Sequence, residues 1–468
     1  MNQLSDLPNI ATLGAIDRAH LIHPVSAWRQ HEERGPTVLT SGRGAWLTDA
    51  EGHKLLDGFA GLWCVNVGYG QESVVQAAAE QMRQLPYATG YFHYSSEPAI
   101  RLAEKLVQIT PASLTRVYLT LGGSEAVDAA VRFIVQYYNA IGKPAKKHFI
   151  SLERGYHGSS STGAGLTALP AFHRGFDLPL PTQHYIPSPN PYRHADGAAN
   201  PQAVIDASVA ALRAKVAELG ADSVAAFFCE PIQGSGGVIV PPKGWLKAMR
   251  EATRELDILF VVDEVITGFG RTGPMFACDA EGVEPDLMTM AKGLTSGYVP
   301  LGATMMSEKV YAGIADGTPA GVSVGHGATY SAHPVGAAVA LEVLRLYEEG
   351  GVLANGQRGA QHFAAGLDAL LSHPLVGDSR HRGLLGALEL VSNKATKAGF
   401  DPALGLSDRI AAAAYRNGVV FRAFADNILG FAPALIFSED EFAQLFARLK
   451  KTLDEVLAAA DVRAALAG

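Results

Sequence analysis

The pattern of hydrophobic and polar positions changes its period along the chain, and each period predicts a different element. Residues 44–61, "GAWLTDAEGHKLLDGFAG", alternate apolar and polar side chains around a turn at Glu51-Gly52. A period of two is typical of a half-buried strand, so this stretch predicts a hairpin. The residues before it suggest one short helix.

Between about residues 70 and 340, short apolar runs alternate with helical patterns. The runs that predict strands are "TRVYLTLGG", "KKHFISL", "VAAFFCEP", "ILFVVDE", "DLMTMA" and "LGATMMS". Stretches such as "SEAVDAAVRFIVQYYNAIG" and "PQAVIDASVAALRAKVAELG" have helical spacing instead. This alternation predicts an α/β fold with a mainly parallel sheet that is covered by helices on both faces.

Past residue 335 the pattern changes to Ala/Leu-rich helices, two short strands near "LLGALELV" and "NILGFAPAL", and a closing amphipathic helix. These elements predict a smaller α+β domain. A chain of 468 residues also exceeds the roughly 250–300 residues at which a single core stops growing. We therefore expect an N-terminal segment (1–65) that joins the small domain, a large domain (66–335) and a C-terminal small domain (336–468).

Composition and charge narrow the class of partner. Hydrophobic residues make up 48% and charged residues 18% of the chain, which is typical of a globular protein. The net charge of -8 offers no basic surface for nucleic acid or an anionic membrane. We therefore expect a small-molecule partner, no nucleic acid and no membrane.

Cysteine usage and the N-terminus bear on metal binding and location. Cys64, Cys229 and Cys278 are widely spaced and odd in number, so they offer neither a disulfide framework nor a Cys-x-x-Cys metal site. "MNQLSDLPNI" has no basic region followed by an apolar stretch, and no run of 18 apolar residues occurs. We expect no metal, no secretion and a cytoplasmic location.

Three charged or glycine-rich positions fall at the ends of predicted strands, where open α/β sheets bind ligands. Asp263 ends an apolar run, Lys292 lies among methionines, leucines and small residues, and Gly122 to Ser124 begin a predicted helix. An apolar setting lowers a lysine pKa, so its neutral amine can form a Schiff base with an aldehyde. A buried aspartate can keep a pyridine nitrogen protonated, and a helix N-terminus binds phosphate.

Aldehyde, pyridinium and phosphate are the three groups by which a protein can hold pyridoxal phosphate. Each residue alone also has an ordinary interpretation. Lys292 could be a solvated lysine on a loop, Asp263 could cap the end of a strand, and the glycine pair could form a common turn. The glycines favour a dinucleotide-binding site less than a pyridoxal-phosphate site, because "GGSEA" does not match G-x-G-x-x-G.

These residues lie in long stretches by which the chain resembles the class III, fold type I pyridoxal-phosphate aminotransferases, within them the ω-amino acid or amine:pyruvate transaminases. The most specific stretches are "DGFAGLWCVNVGYG", "ERGYHGSS", "EPIQGSGGVIVPP", "DEVITGFGRTG", "AKGLTSGYVPLGA" and "TYSAHPVGAAVAL". The resemblance covers nearly the whole chain. It implies a large domain with a mainly parallel seven-stranded sheet, plus a smaller α+β domain.

The resemblance also implies roles for residues of the cofactor site. Lys292 would be the Schiff-base lysine that moves the substrate proton, and Asp263 the partner of the pyridine nitrogen. The remaining cofactor-binding residues it implies are Gly123, Ser124, Tyr156, Glu230, Val265 and, from the other subunit of a homodimer, Thr329. Val265 could instead be a core valine and Glu230 a structural acid, and His157 more often has a structural role.

Substrate recognition rests on the same resemblance. Trp63, Tyr91, Phe92 and Tyr156 would line an amine pocket, and Arg422 would bind a carboxylate through two donors. Alternatively, the aromatics belong to the core and Arg422 is a surface charge. Three positions depart from the family pattern, two in the phosphate loop and one before Thr329: Gly122, Val127 and Ala328.

The implied activity is a ping-pong transamination through Lys292, with the cofactor alternating between pyridoxal and pyridoxamine phosphate. The donor would be a primary amine or ω-amino acid, such as β-alanine, putrescine or an arylalkyl amine, and pyruvate would be the acceptor. The alternatives are decarboxylation of a dialkyl amino acid, amino migration, or a non-catalytic amine-binding protein. A homodimer is expected, and a tetramer stays open.

Overall fold

The computed structural model describes residues 10–197 and 199–466. The expectation that no leader peptide is present falls mainly on residues 1–9, which lie outside the described residues, as do position 198 and positions 467 and 468 at the end of the small domain. Within the described ranges, no helix is both long enough and apolar enough to cross a membrane.

Helices and strands alternate through most of the chain. The helices are α1 (Ile10–His20), α2 (Trp28–Arg34), α3 (Ala60–Trp63), α4 (Glu72–Gln84), α5 (Glu97–Ile109), α6 (Gly123–Ala140), α7 (Ser161–Leu166), α8 (Pro201–Leu219), α9 (Trp245–Glu255), α10 (Glu308–Gly317), α11 (Pro334–Glu348), α12 (Val352–Ala369), α13 (Leu406–Arg416), α14 (Glu439–Leu457) and α15 (Ala460–Ala464). The strands are β1 (Leu39–Arg43), β2 (Trp46–Asp49), β3 (Lys54–Asp57), β4 (Leu114–Thr120), β5 (His148–Leu152), β6 (Gln183–Ile186), β7 (Val224–Cys229), β8 (Leu259–Asp263), β9 (Leu287–Met290), β10 (Gly302–Ser307), β11 (Val376–Arg382), β12 (Leu385–Leu390), β13 (Val419–Val420), β14 (Arg422–Ala423) and β15 (Ile428–Phe431). Short 3₁₀ helices lie at Pro170–Phe172, Ala277–Glu281, Lys292–Leu294, Leu370–Ser372 and Pro402–Leu404.

The central sheet has seven strands in the order β4-β10-β9-β8-β7-β5-β6. Only β10 runs antiparallel to its neighbours, so the prediction of a mainly parallel seven-stranded sheet is confirmed. The hydrophobic pattern missed β6, because this edge strand has four residues and begins with Gln183 and His184. Such a short, polar run carries no signal that separates it from a loop.

Both faces of the central sheet are buried. Every residue of β7 and β8 is buried, and successive residues enter opposite cores. Phe227 and Val262 belong to the larger core cluster, whereas Phe228 and Val261 belong to the cluster beneath α6. Each phenylalanine buried in this way contributes about 1.5–3 kcal/mol. Burial on both faces explains why these strands are continuous apolar runs and not alternating patterns.

The ends of the chain combine in two smaller sheets. One has the order β1-β2-β3-β13, in which β13 runs parallel to β3 and pairs Val419 with Leu56. The other, β11-β12-β15-β14, is antiparallel throughout. The pairing of β13 with β3 supports grouping the N-terminal segment with the C-terminal part. The domain boundaries 1–65, 66–335 and 336–468 stay predictions.

Candidate active site

A cavity of about 130 Å³ lies at the carboxyl ends of β4, β8 and β9. It is lined by Gly123, Ser124, Tyr156, His157, Gly158, Glu230, Asp263, Val265, Ile266 and Lys292. Asp263 is the last residue of β8, and Lys292 follows β9 by two positions. The parallel sheet therefore brings together side chains that are far apart in sequence, at the edge where ligands bind to such sheets.

Asp263 forms the buried anionic part of the cavity. Nδ1 of His157 lies 2.9 Å from Oδ2 of Asp263, and the amide of Val265 donates to Oδ1 at 3.1 Å. Because a carboxylate can only accept, Nδ1 of His157 carries the hydrogen in this bond. Two donors orient the carboxylate and offset the cost of burying its charge.

His157 is buried at 1% exposure, and its Nε2 atom has no hydrogen-bond partner among the described residues. Its own amide donates to Oγ1 of Thr167 at 2.7 Å, which anchors the loop. The side chain is therefore held rigidly with its bonded nitrogen toward Asp263.

Glu230 follows β7 directly and ties two loops to the sheet. Its carboxylate accepts from the amides of Tyr156 and Gly234, each at 2.9 Å. Burial raises the pKa of Glu230 to about 7. These bonds hold the backbone of Tyr156 at the cavity.

Lys292 begins a 3₁₀ turn with a φ of 38°, a region that residues other than glycine rarely adopt. Such strain is concentrated at functional sites. Burial lowers the pKa of the Lys292 amine, and the charge of Asp263 opposes this shift only in part. A larger fraction of the amine is therefore neutral and nucleophilic than for a lysine in water.

The first turn of α6 closes the cavity on the side of β4. A Cβ on Gly123 would lie 3.0 Å from Cγ1 of Val265, and one on Gly158 would lie 2.7 Å from Oγ of Ser124. Glycine at both positions thus lets two loops approach the helix end. Oγ of Ser124 accepts from the amide of Ser159 at 3.1 Å, which leaves its own hydrogen free to donate. Unpaired amides at a helix N-terminus favour an anion such as phosphate.

These residues fit pyridoxal phosphate at each of its three groups. The Asp263 carboxylate suits a protonated ring nitrogen, the Lys292 amine suits an aldehyde, and the α6 N-terminus suits a phosphate. Tyr156 and Val265 are both half-buried and line the same cavity.

Trp63 and Arg422 lie outside the cavity but are connected to it. Trp63 is 3% exposed and packs against Phe59 with ring centroids 4.5 Å apart. It belongs to one apolar cluster with Ile266, which lines the cavity, and with Phe424. The guanidinium of exposed Arg422 lies 5.4 Å from the Phe424 ring centroid. A row of contacts therefore runs from Arg422 through Phe424 to Trp63, whose ring centroid lies 6.5 Å from that of Phe424, and it ends in the apolar cluster that reaches the cavity at Ile266.

Tyr91, Phe92 and Thr329 do not reach the cavity of their own chain. Phe92 is 80% exposed, and Tyr91 lines a separate cavity of about 410 Å³ with Tyr118 and other residues. Thr329 is exposed, and its carbonyl accepts from Oη of Tyr87 at 2.9 Å.

The three departures from the family pattern have different surroundings. Val127 is buried in the core beneath α6. Gly122 has a φ of 179°, an extended conformation that any residue adopts. Ala328 is half-buried, and its amide donates to Oγ of Ser331 at 3.3 Å.

Sequence reasoning missed three contributors to the site. The hydrogen bond from His157 to Asp263 joins positions 106 apart, and nothing in the local pattern indicates it. Gly158 and Ile266 line the cavity together with the predicted site residues Tyr156 and Val265. The run "GYHGSS" was the only available signal for His157 and Gly158.

A parallel sheet whose strand ends bring together a buried lysine, a buried aspartate and a helix N-terminus defines the class of fold type I pyridoxal-phosphate enzymes. The chain belongs to the class III aminotransferases, because the family model described as "Aminotransferase class-III" matches residues 28–453. It is therefore a pyridoxal-phosphate-dependent aminotransferase.

Known relatives agree with this assignment over nearly their full length. The chain is 39% identical to the putrescine–pyruvate aminotransferase of Pseudomonas aeruginosa, over 95% of this chain and 96% of the relative. It is 36% identical to the diaminobutyrate–2-oxoglutarate transaminase of Halomonas elongata, over 91% and 92%. The solved structure of the Pseudomonas jessenii ω-transaminase in complex with PMP superposes with a TM-score of 0.93 at 38% identity, covering 96% of this chain and 99% of that one.

Proposed function

We propose that this aminotransferase moves the amino group of a primary amine or ω-amino acid to pyruvate, giving alanine and an aldehyde or ketone. The observation that carries the proposal is the row of contacts from Arg422 to the cavity. It combines a cation that forms no ion pair within the described residues with an apolar aromatic wall. A cation suits the carboxylate of a keto acid, and an apolar wall suits the carbon chain of an amine.

Each residue of the cavity has a separate task in this proposal. Bound pyridoxal phosphate supplies an aldehyde for the substrate amine and a ring that spreads the charge left on the substrate carbon. The neutral amine of Lys292 takes the proton from the carbon next to the substrate nitrogen and later returns it. Asp263, oriented by His157, stabilises positive charge at the ring nitrogen. Ser124 and the α6 amides hold the phosphate.

Recognition of the acceptor falls to Arg422. Its guanidinium can donate two parallel hydrogen bonds to a carboxylate, which fixes a keto acid in orientation as well as position. Arg422 is exposed, so its side chain can turn aside when a donor without a carboxylate enters. Trp63 and Phe424 would then contact the donor chain.

The choice of pyruvate over 2-oxoglutarate follows the relative that acts on putrescine and pyruvate, which is 39% identical over 95% of this chain. The diaminobutyrate relative, named for 2-oxoglutarate, is 36% identical over 91%. Because recognition of the second carboxylate of 2-oxoglutarate would call for a further cation, the single cation of the row, Arg422, favours pyruvate.

The test is a panel of donors, β-alanine, putrescine and an arylalkyl amine, each offered with pyruvate or 2-oxoglutarate. We expect alanine to form faster than glutamate with every donor that reacts. Arg422→Ala should raise the KM for pyruvate and leave unchanged the first half-reaction with putrescine or the arylalkyl amine, which have no carboxylate. Preferential glutamate formation would contradict pyruvate as the acceptor. Carbon dioxide release, or turnover without a keto acid, would contradict transamination as the reaction.

We also propose a homodimer in which Thr329 of one subunit completes the phosphate site of the other. Thr329 is exposed and does not line its own cavity, and its neighbourhood carries exposed aromatic residues, among them Tyr87 at 40% and Tyr330 at 55%. Such patches are typical of protein interfaces. The cytoplasmic location and the tetramer stay predictions.

A further inference from the structure

Two histidines and an aspartate meet near the N-terminus, away from the cofactor cavity. Asp17 lies on α1, His31 on α2 and His23 in the link between these helices. Nε2 of His23 lies 2.8 Å from Oδ2 of Asp17, and Nε2 of His31 lies 2.7 Å from Oδ1. All three side chains are partly shielded, with exposures of 14% for Asp17, 33% for His23 and 17% for His31.

Asp17, His23 and His31 bring possible metal-ligand atoms close together. One ligand atom from each residue lies within 4.8 Å of the others. The two imidazole rings have centroids 4.2 Å apart and planes inclined by 38°, so their Nε2 atoms converge on the same carboxylate. An ion pair with Asp17 would require only one of the two histidines. Two imidazoles that converge on one carboxylate provide three metal ligands.

We propose that Asp17, His23 and His31 form a binding site for one divalent transition-metal ion of the Zn²⁺ type. Imidazole nitrogen with one carboxylate suits Zn²⁺ and its neighbours in the first transition series, whereas Mg²⁺ and Ca²⁺ require oxygen ligands. Three protein ligands leave a position for water.

Small movements accommodate the ion. Zinc–nitrogen bonds of about 2.0–2.1 Å place tetrahedral ligand atoms about 3.4 Å apart. The present His–Asp separations of 2.7 and 2.8 Å must therefore widen by roughly half an ångström. His23 lies in the link and His31 on a seven-residue helix that has no buried residues, so this widening does not require the core to move.

The ion would hold the link between α1 and α2 in place. Val25 in this link has a φ of 50°, a strained value for a β-branched residue, and the ligands His23 and His31 lie on either side of it. The link also lines a groove of about 1050 Å³ together with Ser159 and Phe172. Ser159 bonds to Ser124, and the Phe172 ring centroid lies 5.3 Å from that of Tyr156, so the groove borders the cofactor cavity.

The test uses the pyridoxal-phosphate-loaded full chain, stripped with a chelator, dialysed and titrated with Zn²⁺ alone by calorimetry. We expect one ion per chain with a dissociation constant in the micromolar range or below. His23→Gln and His31→Gln should each weaken binding at least a hundredfold. His20→Gln is the matched control, because His20 is an exposed histidine at the end of α1 outside the cluster, and it should bind as the parent does.

A second readout keeps the site testable if one histidine variant folds poorly. In the parent protein, bound Zn²⁺ should slow proteolysis of the link at residues 21–27. Asp17→Asn keeps a side chain of the same shape but removes the anionic ligand, so Zn²⁺ should not slow proteolysis of this variant. Binding to fewer than half of the chains would overturn the site. Equal binding by the parent and by His31→Gln, or by the parent and Asp17→Asn, would overturn it as well.

Discussion

Lys292 combines a strained backbone with an amine whose pKa is lowered by burial. Lys292→Ala removes the group proposed to take and return the substrate proton, so transamination should fall at least about a thousandfold. The measurement is alanine formation from pyruvate, with and without added methylamine. Methylamine should restore part of the rate, because a free amine can enter the space left by the side chain.

An exposed lysine on α9 provides the control. Lys247→Ala should retain the parent rate, because its side chain faces solvent. Normal turnover by Lys292→Ala without added amine would remove the proposed role.

We expect His157 to act on the reaction through Asp263, to which it is hydrogen-bonded. Replacing it by phenylalanine leaves Oδ2 of Asp263 without its donor. Because hydrogen bonds to charged groups contribute about 1.5–3 kcal/mol, kcat/KM should fall roughly ten- to hundredfold. His157→Asn keeps a donor and should recover part of the loss. The absorption spectrum of the bound cofactor as a function of pH separates a change at the ring nitrogen from general damage, and an unchanged spectrum in His157→Phe would contradict a positioning role.

At the level of elements, one loop approaches the end of α6 at the side of the cavity that we propose holds the phosphate. Gly158 has a φ of 105°, and a Cβ there would lie 2.7 Å from Oγ of Ser124. Gly158→Ala should therefore displace the first turn of α6 and weaken pyridoxal-phosphate binding about tenfold or more. The dissociation constant can be measured by fluorescence quenching.

Gly273→Ala is the matched control for that variant. Its φ of 111° imposes the same backbone strain, but nothing lies within 4 Å of the added carbon. Both variants should lose thermal stability, and only Gly158→Ala should lose cofactor affinity. Equal affinities would show that the contact with Ser124 is unimportant.

The end of β8 carries a second acid, Glu264, with a structural task. It is fully buried and accepts from the amide of Cys278 at 2.8 Å and from the hydroxyl of Thr267. Burial raises the pKa of Glu264 to about 7 from an ordinary value of 4.5. The folded state therefore holds this proton more tightly, so the stabilisation is complete below about pH 4.5 and is lost as the pH rises through about 7.

Glu264→Gln removes that titration. The unfolding free energy of the parent relative to the variant should fall by up to about 3 kcal/mol between about pH 5 and pH 8. Denaturant unfolding at several pH values measures this difference. Glu284→Gln, at an exposed position just before β9, is the control for the substitution of a glutamate by glutamine. A flat difference for Glu264→Gln would contradict the shifted pKa.

For the whole molecule, the proposed homodimer would make activity depend on assembly, because Thr329 is exposed and would complete the site of the partner. Thr329→Asp places a negative charge where the phosphate of the partner would bind, so it should inactivate both sites of its homodimer. Mixed with Lys292→Ala in equal amounts, half of the dimers are hybrids, and each hybrid has one intact site. About a quarter of the parent activity should therefore return. No recovery in the mixture would contradict a shared site.

The chain by itself determined the framework of this enzyme. Continuous apolar runs such as β7 and β8 can be stable only when both faces are covered, so the pattern already specified a parallel α/β sheet. It also placed Asp263 and Lys292 at strand ends, where neighbouring parallel strands bring them to one edge.

Only the tertiary structure decided contacts that join separate elements. The bond from His157 to Asp263 spans 106 positions, and the cluster of Asp17, His23 and His31 depends on how α1, α2 and the link between them pack together. Periodicity reports which face of an element is buried, but it does not report which side chain meets which across a gap. Short polar elements such as β6 were missed for the same reason, because the sheet and not their own sequence holds them in place.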